Sequence, residues 1–272
     1  MAGYAKEKKR AVMEKNYLSN LFNLKDKIVL ITGACGQLGR ELAESYIKVG
    51  ARVIGADLDL NSKNMIKSKN IEYLKMDITN KKPVSDTFSY IYSNYKRLDI
   101  LINNAGVSVF EPFEERQEES FDRVMDVNLK GTFFCIQAYV KYVKDKKQSG
   151  SIINIASIYG VISPDFRIYT DCKRKNSEVY GATKSGVIQM TRYFAVYLAQ
   201  YNIRVNCVSP GGIFNPKSPQ GKDFIKNYSH RCPMGRMASS NEIVGGVLYL
   251  SSNAAKYVTG ENLIIDGGMN CW

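Results

Sequence analysis

What this chain of 272 residues has little of narrows it first. It holds one histidine, His230, and six cysteines, at positions 35, 135, 172, 207, 232 and 271, with no CxxC pair. No His/Cys cluster has metal-ligand spacing, so no metal site is expected and the dispersed thiols read as reduced. Long hydrophobic runs are missing too. The longest, 27–32 and 150–156, fall far short of the roughly 20 residues a bilayer span needs, and no membrane segment is expected. The first twenty residues carry charge with no apolar stretch behind them, which excludes a secretory signal and points to the cytoplasm. No repeat, low-complexity tract or Pro/Gly linker divides the chain. Its one compositional break, near Leu21, separates a charged leader, 1–20, from the remainder, 21–272.

Hydrophobic residues at 44% and charged residues at 24% are the proportions of a folded globular protein with material for a core. The formal charge of +12 raises the question of nucleic acid. Part of it sits in the leader, where Lys6, Lys8, Lys9, Arg10 and Lys15 outweigh Glu7 and Glu14. An ordinary solvated basic face accounts for this, and no nucleic-acid partner is expected. Short β-branched runs at 27–32, 52–57, 71–76, 98–103, 150–156, 203–208 and 261–266 alternate with helical patterns at 38–49, 83–96, 120–146, 180–200 and 240–252. That alternation predicts an α/β protein, a single-domain Rossmann fold whose seven-stranded parallel sheet is doubly wound, with helices on both faces.

The chemistry-bearing residues fall where those strands end. The first strand runs into Thr32-Gly-Ala-Cys-Gly-Gln-Leu-Gly39 and then a helix, the place where glycines let a backbone approach a pyrophosphate and free helix N–H groups meet it. The second ends at Asp57, 24 residues beyond Gly33, where a carboxylate would take a ribose 2′-hydroxyl and repel a 2′-phosphate, favouring NAD over NADP. Asp77 and Ile78 end the third strand, and Asn103-Asn-Ala-Gly106 ends the fourth. The fifth ends at Ser157, and Tyr180-Gly-Ala-Thr-Lys184 follows. A tyrosine and a lysine four apart share a helix face, so the ammonium can lower the phenol pKa and make an acid/base.

With these motifs in this order, and Asn128 between them, residues 24 to 272 resemble the short-chain dehydrogenase/reductase family in its single-domain branch. The resemblance implies hydride transfer between a nicotinamide and an alcohol or carbonyl. It implies that Tyr180 is the acid/base, Ser157 holds the substrate oxygen, Lys184 binds the nicotinamide ribose and tunes Tyr180, and Asn128 anchors a water for proton relay. It also implies that Gly33, Gly36, Gln37, Leu38, Gly39, Asp57, Asp77, Ile78, Asn104, Ala105, Gly106, Tyr180, Lys184, Pro210, Gly211 and Ile213 line the dinucleotide. Asp266-Gly-Gly268 would lie near a subunit interface of a homotetramer or homodimer.

The sequence departs from the family pattern at three places. Gln37 stands where the branch usually has a glycine, and Asn215 replaces a usual threonine. Ser157 and Tyr180 are 23 residues apart, more than is usual, which implies an insertion at 164–177. Inside it Tyr169-Thr-Asp-Cys-Lys173 is a second YxxxK, 12 residues after Ser157 and so at the more usual separation. Tyr180 is favoured because it opens an uninterrupted helical pattern and because Lys184 lies 26 residues before Pro210, the family's spacing.

Basic residues mark the substrate side. The insertion carries Arg167, Lys173, Arg174 and Lys175, and the segment 214–236, a substrate lid by the resemblance, carries Lys217, Lys222, Lys226, Arg231 and Arg236 against Asp223. Two such segments converging would select an anion, with Arg167 and Arg231 as the specific contacts. Stretches such as 157–160, 163–166, 177–180 and 211–215 are similar to bacterial members of surface-polysaccharide and nonulosonic-sugar pathways, so the expected substrate is a sugar or amino-sugar phosphate or a nucleotide sugar. A 3-oxoacyl carrier reductase is the alternative enzyme, and a nonenzymatic dinucleotide sensor the alternative of another class; the filled catalytic positions argue against the sensor.

Overall fold

The computed structural model describes residues 17–60, 63, 65–144, 148–171 and 175–272. The basic positions Lys173 and Arg174, and all but the last four residues of the leader, lie outside them. Seven parallel strands form one sheet: β1 (Ile28–Thr32), β2 (Arg52–Asp57), β3 (Ile71–Lys75), β4 (Ile100–Asn103), β5 (Gly150–Ile155), β6 (Ile203–Pro210) and β7 (Asn262–Ile265). Their spatial order is β3-β2-β1-β4-β5-β6-β7. The chain winds outward from β1 to β3, then returns to β4 on the other side of β1. The carboxyl edge between β1 and β4 is therefore the switch point at which open α/β sheets bind ligands.

Strand side chains alternate between two apolar layers, as the period of two requires. Ile28 and Leu30 of β1 join a core with α2 (Lys81–Tyr95), α4 (Thr132–Val143) and α5 (Glu178–Leu198), through Phe88, Ile136, Tyr139 and Leu198. Val29 and Ile31 point to the other layer, where α1 (Gln37–Lys48) and α7 (Ser240–Ser251) contribute Leu42, Tyr46, Ile243 and Val247. Both sheet faces are covered, which is why β1 reads as a nearly continuous apolar run.

Two local features depart from the expected pattern, and a third agrees with it. The segment expected as one helix, 120–146, is α3 (Glu118–Met125) continued through a π-helical turn, Asp126–Gly131, into α4. Such wide turns insert a residue into the helix and concentrate at functional sites; this one contains Asn128. The helix α6 (Lys222–Arg231) in the 214–236 segment gave no helical pattern, because Phe224 and Tyr228 are its only buried side chains. The second YxxxK is not helical at its start: a 3-10 turn occupies Phe166–Ile168 and Tyr169 follows it at φ −100°, ψ 73°. Lys173 lies outside the described residues.

Candidate active site

A single cavity of about 970 Å³ runs along the carboxyl edge of the sheet from the glycine turn to the 214–236 segment. Its volume is at the upper end of the range for small-molecule sites. It is lined by Gly33, Gly36, Gln37, Leu38, Gly39, Asp57, Asp77, Ile78, Asn104, Ala105, Gly106, Ser157, Tyr180, Lys184, Pro210, Gly211 and Ile213. Asn128 alone of the expected catalytic and cofactor residues is set behind this wall, at 1% exposure.

At the cofactor end the glycine turn and the β4 loop lock together. Thr32 Oγ1 accepts the N–H groups of Asn104 and Ala105, both at 3.0 Å, and Asn104 Nδ2 donates to the carbonyls of Thr32 and Gly33 at 2.9 and 3.0 Å. Gly33 takes φ +65°, and a Cβ there would stand 2.8 Å from Ala105 Cα. A Cβ on Gly39 would stand 2.0 Å from the Gly33 carbonyl oxygen. The turn is thus a cradle that admits no side chain, and it opens at the N-terminus of α1, where Gly36 caps without a side-chain bond. Helix N–H groups left uncapped suit a pyrophosphate. Asp57 Oδ2 accepts from Cys35 N at 2.8 Å, which fixes the carboxylate at the mouth of the turn beside Asp59. Burial and the Asp57 carboxylate push the Cys35 thiol up to about 11, so it is un-ionised at neutral pH. Asp77 is held by Thr79 and Asn80; burial raises its pKa, but those hydrogen bonds win and the net shift is downward. Gln37, the departure from the glycine pattern, has a structural use: its amide donates to Phe214 O at 2.7 Å and Ser240 Oγ at 3.0 Å, tying the turn to the start of the 214–236 segment.

The middle of the cavity carries Ser157, Tyr180 and Lys184. Ser177 caps α5, its Oγ accepting Tyr180 N at 3.2 Å, so the helix begins where Tyr180 occupies the first turn and Lys184 the next. Arg116, nearly buried, braces the same end by pairing with Glu178 at 2.6 Å and Glu111 at 3.4 Å. The loop after β5 docks on α5 so closely that a Cβ on Gly160 would meet the Lys184 backbone at 2.7 Å. This contact sets Ser157 beside Tyr180, close enough for its hydroxyl to lower the phenol pKa. Lys184 Nζ lies 5.6 Å from the Tyr180 ring centre and donates to Ile155 O at 2.8 Å.

The electrostatics correct one expectation. Burial raises the Tyr180 pKa, against a smaller lowering by the Ser157 hydrogen bond, and burial lowers Lys184 to about 8. Desolvation is the larger influence on both groups, so the lowering expected from Lys184 is not the net direction at Tyr180. Asn128 is a brace: its Oδ1 accepts Val107 N at 2.8 Å, and its Nδ2 donates to Val107 O at 2.9 Å and Thr183 Oγ1 at 3.1 Å. Its main-chain carbonyl accepts Thr132 Oγ1 at 2.8 Å.

The substrate end holds Ser108, Phe110, Tyr159, Tyr169, Asn176, Phe224 and Tyr228, none of which the motifs identify apart from Tyr169. The segments 164–177 and 214–236 do meet. Asp171 Oδ2 accepts Phe224 N at 3.2 Å, Asn227 Nδ2 donates to Thr170 Oγ1 at 2.8 Å, and the Tyr169 and Phe224 rings lie 5.1 Å apart. Among the described residues the two arginines expected as specific contacts are turned to other partners. Arg167 is exposed and bound to Asp165 through two contacts of 2.8 Å. Arg231 approaches the same carboxylate at 3.6 Å and donates to Trp272 O at 2.8 Å. Neither arginine lines the cavity. Arg236 is paired with Glu242, and Lys175 lies over the Phe166 ring. Asp165 thus pairs with both Arg167 and Arg231, and Glu242 with Arg236. Among the described residues no His/Cys/Asp/Glu cluster could hold a metal, and no helix is long and apolar enough to cross a membrane.

A dinucleotide cradle joined to a Ser–Tyr–Lys constellation at the switch point of a parallel sheet defines a nicotinamide-dependent oxidoreductase. Comparison with known proteins agrees. A family profile described as enoyl-(acyl carrier protein) reductase matches residues 33–270. A short-chain dehydrogenase from Leptospira borgpetersenii, solved with bound NAD+, is 48% identical and superposes with a TM-score of 0.85, covering 90% of this chain and 93% of that one. The 3-oxoacyl-[acyl-carrier-protein] reductase of Thermotoga maritima is 33% identical over 253 residues, 90% of this chain and 98% of the relative. The NAD-dependent glycerol dehydrogenase of Listeria innocua is 34% identical over 252 residues, 91% and 95% of the two chains. The chain belongs to the short-chain dehydrogenase/reductase family, and is an oxidoreductase of alcohol and ketone groups, not a nonenzymatic sensor.

Proposed function

We propose that the protein is an NAD-dependent dehydrogenase of a small, neutral, hydroxyl-bearing compound of the polyol or sugar kind. The observation that carries this reading is one cavity that joins Asp57 and the glycine cradle to Ser157, Tyr180 and Lys184 and continues into a substrate end that, among the described residues, has no arginine. Bound nicotinamide would supply the hydride chemistry. Around it, Gly33, Gly36 and Gly39 would pass the pyrophosphate, and Asp57 would take ribose hydroxyls and repel a 2′-phosphate. Ser157 holds the reacting oxygen. Tyr180, kept neutral by burial, donates its proton to a carbonyl, and after losing it to solvent accepts one from an alcohol. Lys184, cationic below pH of about 8, takes a ribose hydroxyl and steadies the phenolate when that forms.

The anionic handle expected from the sequence has no support here, since Arg167 and Arg231 serve Asp165; the carbohydrate character of the substrate is retained. Names of relatives support it, one a glycerol dehydrogenase and others D-arabinitol 2-dehydrogenases of yeasts. A second reading, reduction of a 3-oxoacyl thioester, is favoured by the Thermotoga relative and by the family profile's description. Assays with NAD+ against polyols and secondary alcohols, and with NADH and NADPH against acetoacetyl thioesters, separate the two. Thioester reduction with no polyol oxidation would overturn the first. Self-association as a dimer or tetramer fits the apolar stripe of Phe133, Tyr193, Val196 and Tyr197 on α4 and α5, with Val196 83% exposed. A cytoplasmic location fits the dispersed cysteines, none of which forms a disulfide among the described residues.

A further inference from the structure

Among its described residues the 164–177 segment adds Tyr169 and Asn176 to the cavity wall. Tyr169 shares a hydrogen bond with Tyr159. Asn176 is 8% exposed, and its Oδ1 accepts from Ser108 Oγ at 3.3 Å. Its Nδ2 is buried and, among the described residues, meets no hydrogen-bond acceptor. A buried amide N–H left unmet is costly, and such groups in native proteins call for a ligand or another function. Its hydrogen-bond partner and the next residue in the chain both belong to the site. Ser108 stands two residues beyond Gly106 on the β4 loop, and Asn176 immediately precedes Ser177, the cap that sets Tyr180 in the first turn of α5. The amide is therefore fixed to the same helix start as the acid/base group.

We propose that Asn176 Nδ2 donates to a second oxygen of the substrate, a neutral hydroxyl or carbonyl near the carbon whose own oxygen Ser157 and Tyr180 hold. The enzyme would then select diols and hydroxyketones over simple alcohols and ketones. This rests on the dehydrogenase reading above and deepens it. Neutrality follows from the wall. Asn176, Ser108, Tyr159 and Tyr169 offer uncharged groups, and the cation that lines the cavity, Lys184, is bound to Ile155 O at 2.8 Å. Among the described residues a carboxylate or phosphate would find no further countercharge there. The role also gives the extra residues between Ser157 and Tyr180 a use: they bring a donor to the wall without moving the two groups that act on the reacting oxygen.

The test compares matched pairs, 2,3-butanediol with 2-butanol and glycerol with 2-propanol, using the full chain and NAD+. Wild type should prefer each diol in kcat/KM. Asn176→Asp keeps the acceptor for Ser108 and removes the donor; Asn176→Ala removes both. Each should lower the diol-over-monoalcohol ratio by about tenfold or more, through KM and not kcat. Calorimetric NAD+ binding, as tight as in wild type, shows that the variants are folded. A ratio unchanged in both variants, or no diol preference in wild type, overturns the assignment of Asn176 and leaves the dehydrogenase reading standing. Wild type that binds NAD+ yet oxidises none of the four removes the dehydrogenase reading and this inference with it.

Discussion

The two ends of the cavity are built on different principles. At the cofactor end nearly every polar group is bound within the chain: Thr32, Asn104, Asp57 and Asp77 each engage backbone N–H or carbonyl groups, and glycines leave an open path. The shape is set before any ligand arrives. At the substrate end the walls are aromatic and amide side chains from two segments that hold each other through Asp171, Thr170 and Phe224, and one amide N–H remains unmet. A preformed cradle binds one cofactor; a wall of adaptable side chains decides which alcohol reaches it.

That contrast can be broken by substitution. The largest effect belongs to the group between the two ends: Tyr180→Phe should reduce turnover by about a thousandfold, within the usual range for an acid/base group, with NAD+ affinity nearly kept. Tyr169→Phe should retain most of the rate; exchange of these outcomes in steady-state kinetics would move the acid/base to the second YxxxK. Next comes Gly39→Ala, whose Cβ would sit 2.0 Å from the Gly33 carbonyl; it should weaken NAD+ binding by about a hundredfold or more and lower Tm, as overpacking of about 1–3 kcal/mol or more does. Calorimetry and thermal melts read both.

A smaller effect concerns pH. The folded pKa of Lys184, about 8, is below its unfolded value, so between about pH 8 and pH 10.5 the unfolded chain binds more protons at this residue. Its burial cost is therefore present below pH 8 and fades as pH rises through that window. Lys184→Met should gain stability over wild type at pH 7, and the gain should shrink by pH 10 in urea titrations. The difference between the two proteins is the quantity to follow, because Cys35, Cys135 and Cys207, raised to about 11 or 12, lower the stability of both above pH of about 9. Smallest of all, Arg167→Ala should leave KM within about twofold, since the side chain is a solvated partner of Asp165. A large rise in KM for an anionic substrate would restore the basic wall.

The cofactor end was legible because its chemistry is written in local spacing: glycines at a strand-to-helix turn, an acid at the end of the next strand, a tyrosine and lysine one helical turn apart. The strands were legible for the same reason, as apolar runs buried on both faces. What sequence spacing does not carry is pairing between distant segments. Asp165 is two residues from Arg167 but far from Arg231, and only the fold shows that both arginines meet it. The polar helix α6 escaped notice with two buried residues, and Asn176 gave no signal beyond standing next to a helix cap. The π-helical turn around Asn128 differs from α-helix by one inserted residue, which periodicity does not resolve.

The measurement closest to the centre of this account is calorimetric titration of the wild-type protein with NAD+ and NADP+, repeated on Asp57→Asn. Asp57 and Asp59 at the mouth of the glycine turn predict tighter binding of NAD+ by about tenfold or more, a difference of about 1.4 kcal/mol or greater that Asp57→Asn narrows. Equal affinities, or tighter binding of NADP+ by the wild type, would contradict the role given to Asp57 and the NAD-dependent function built on it.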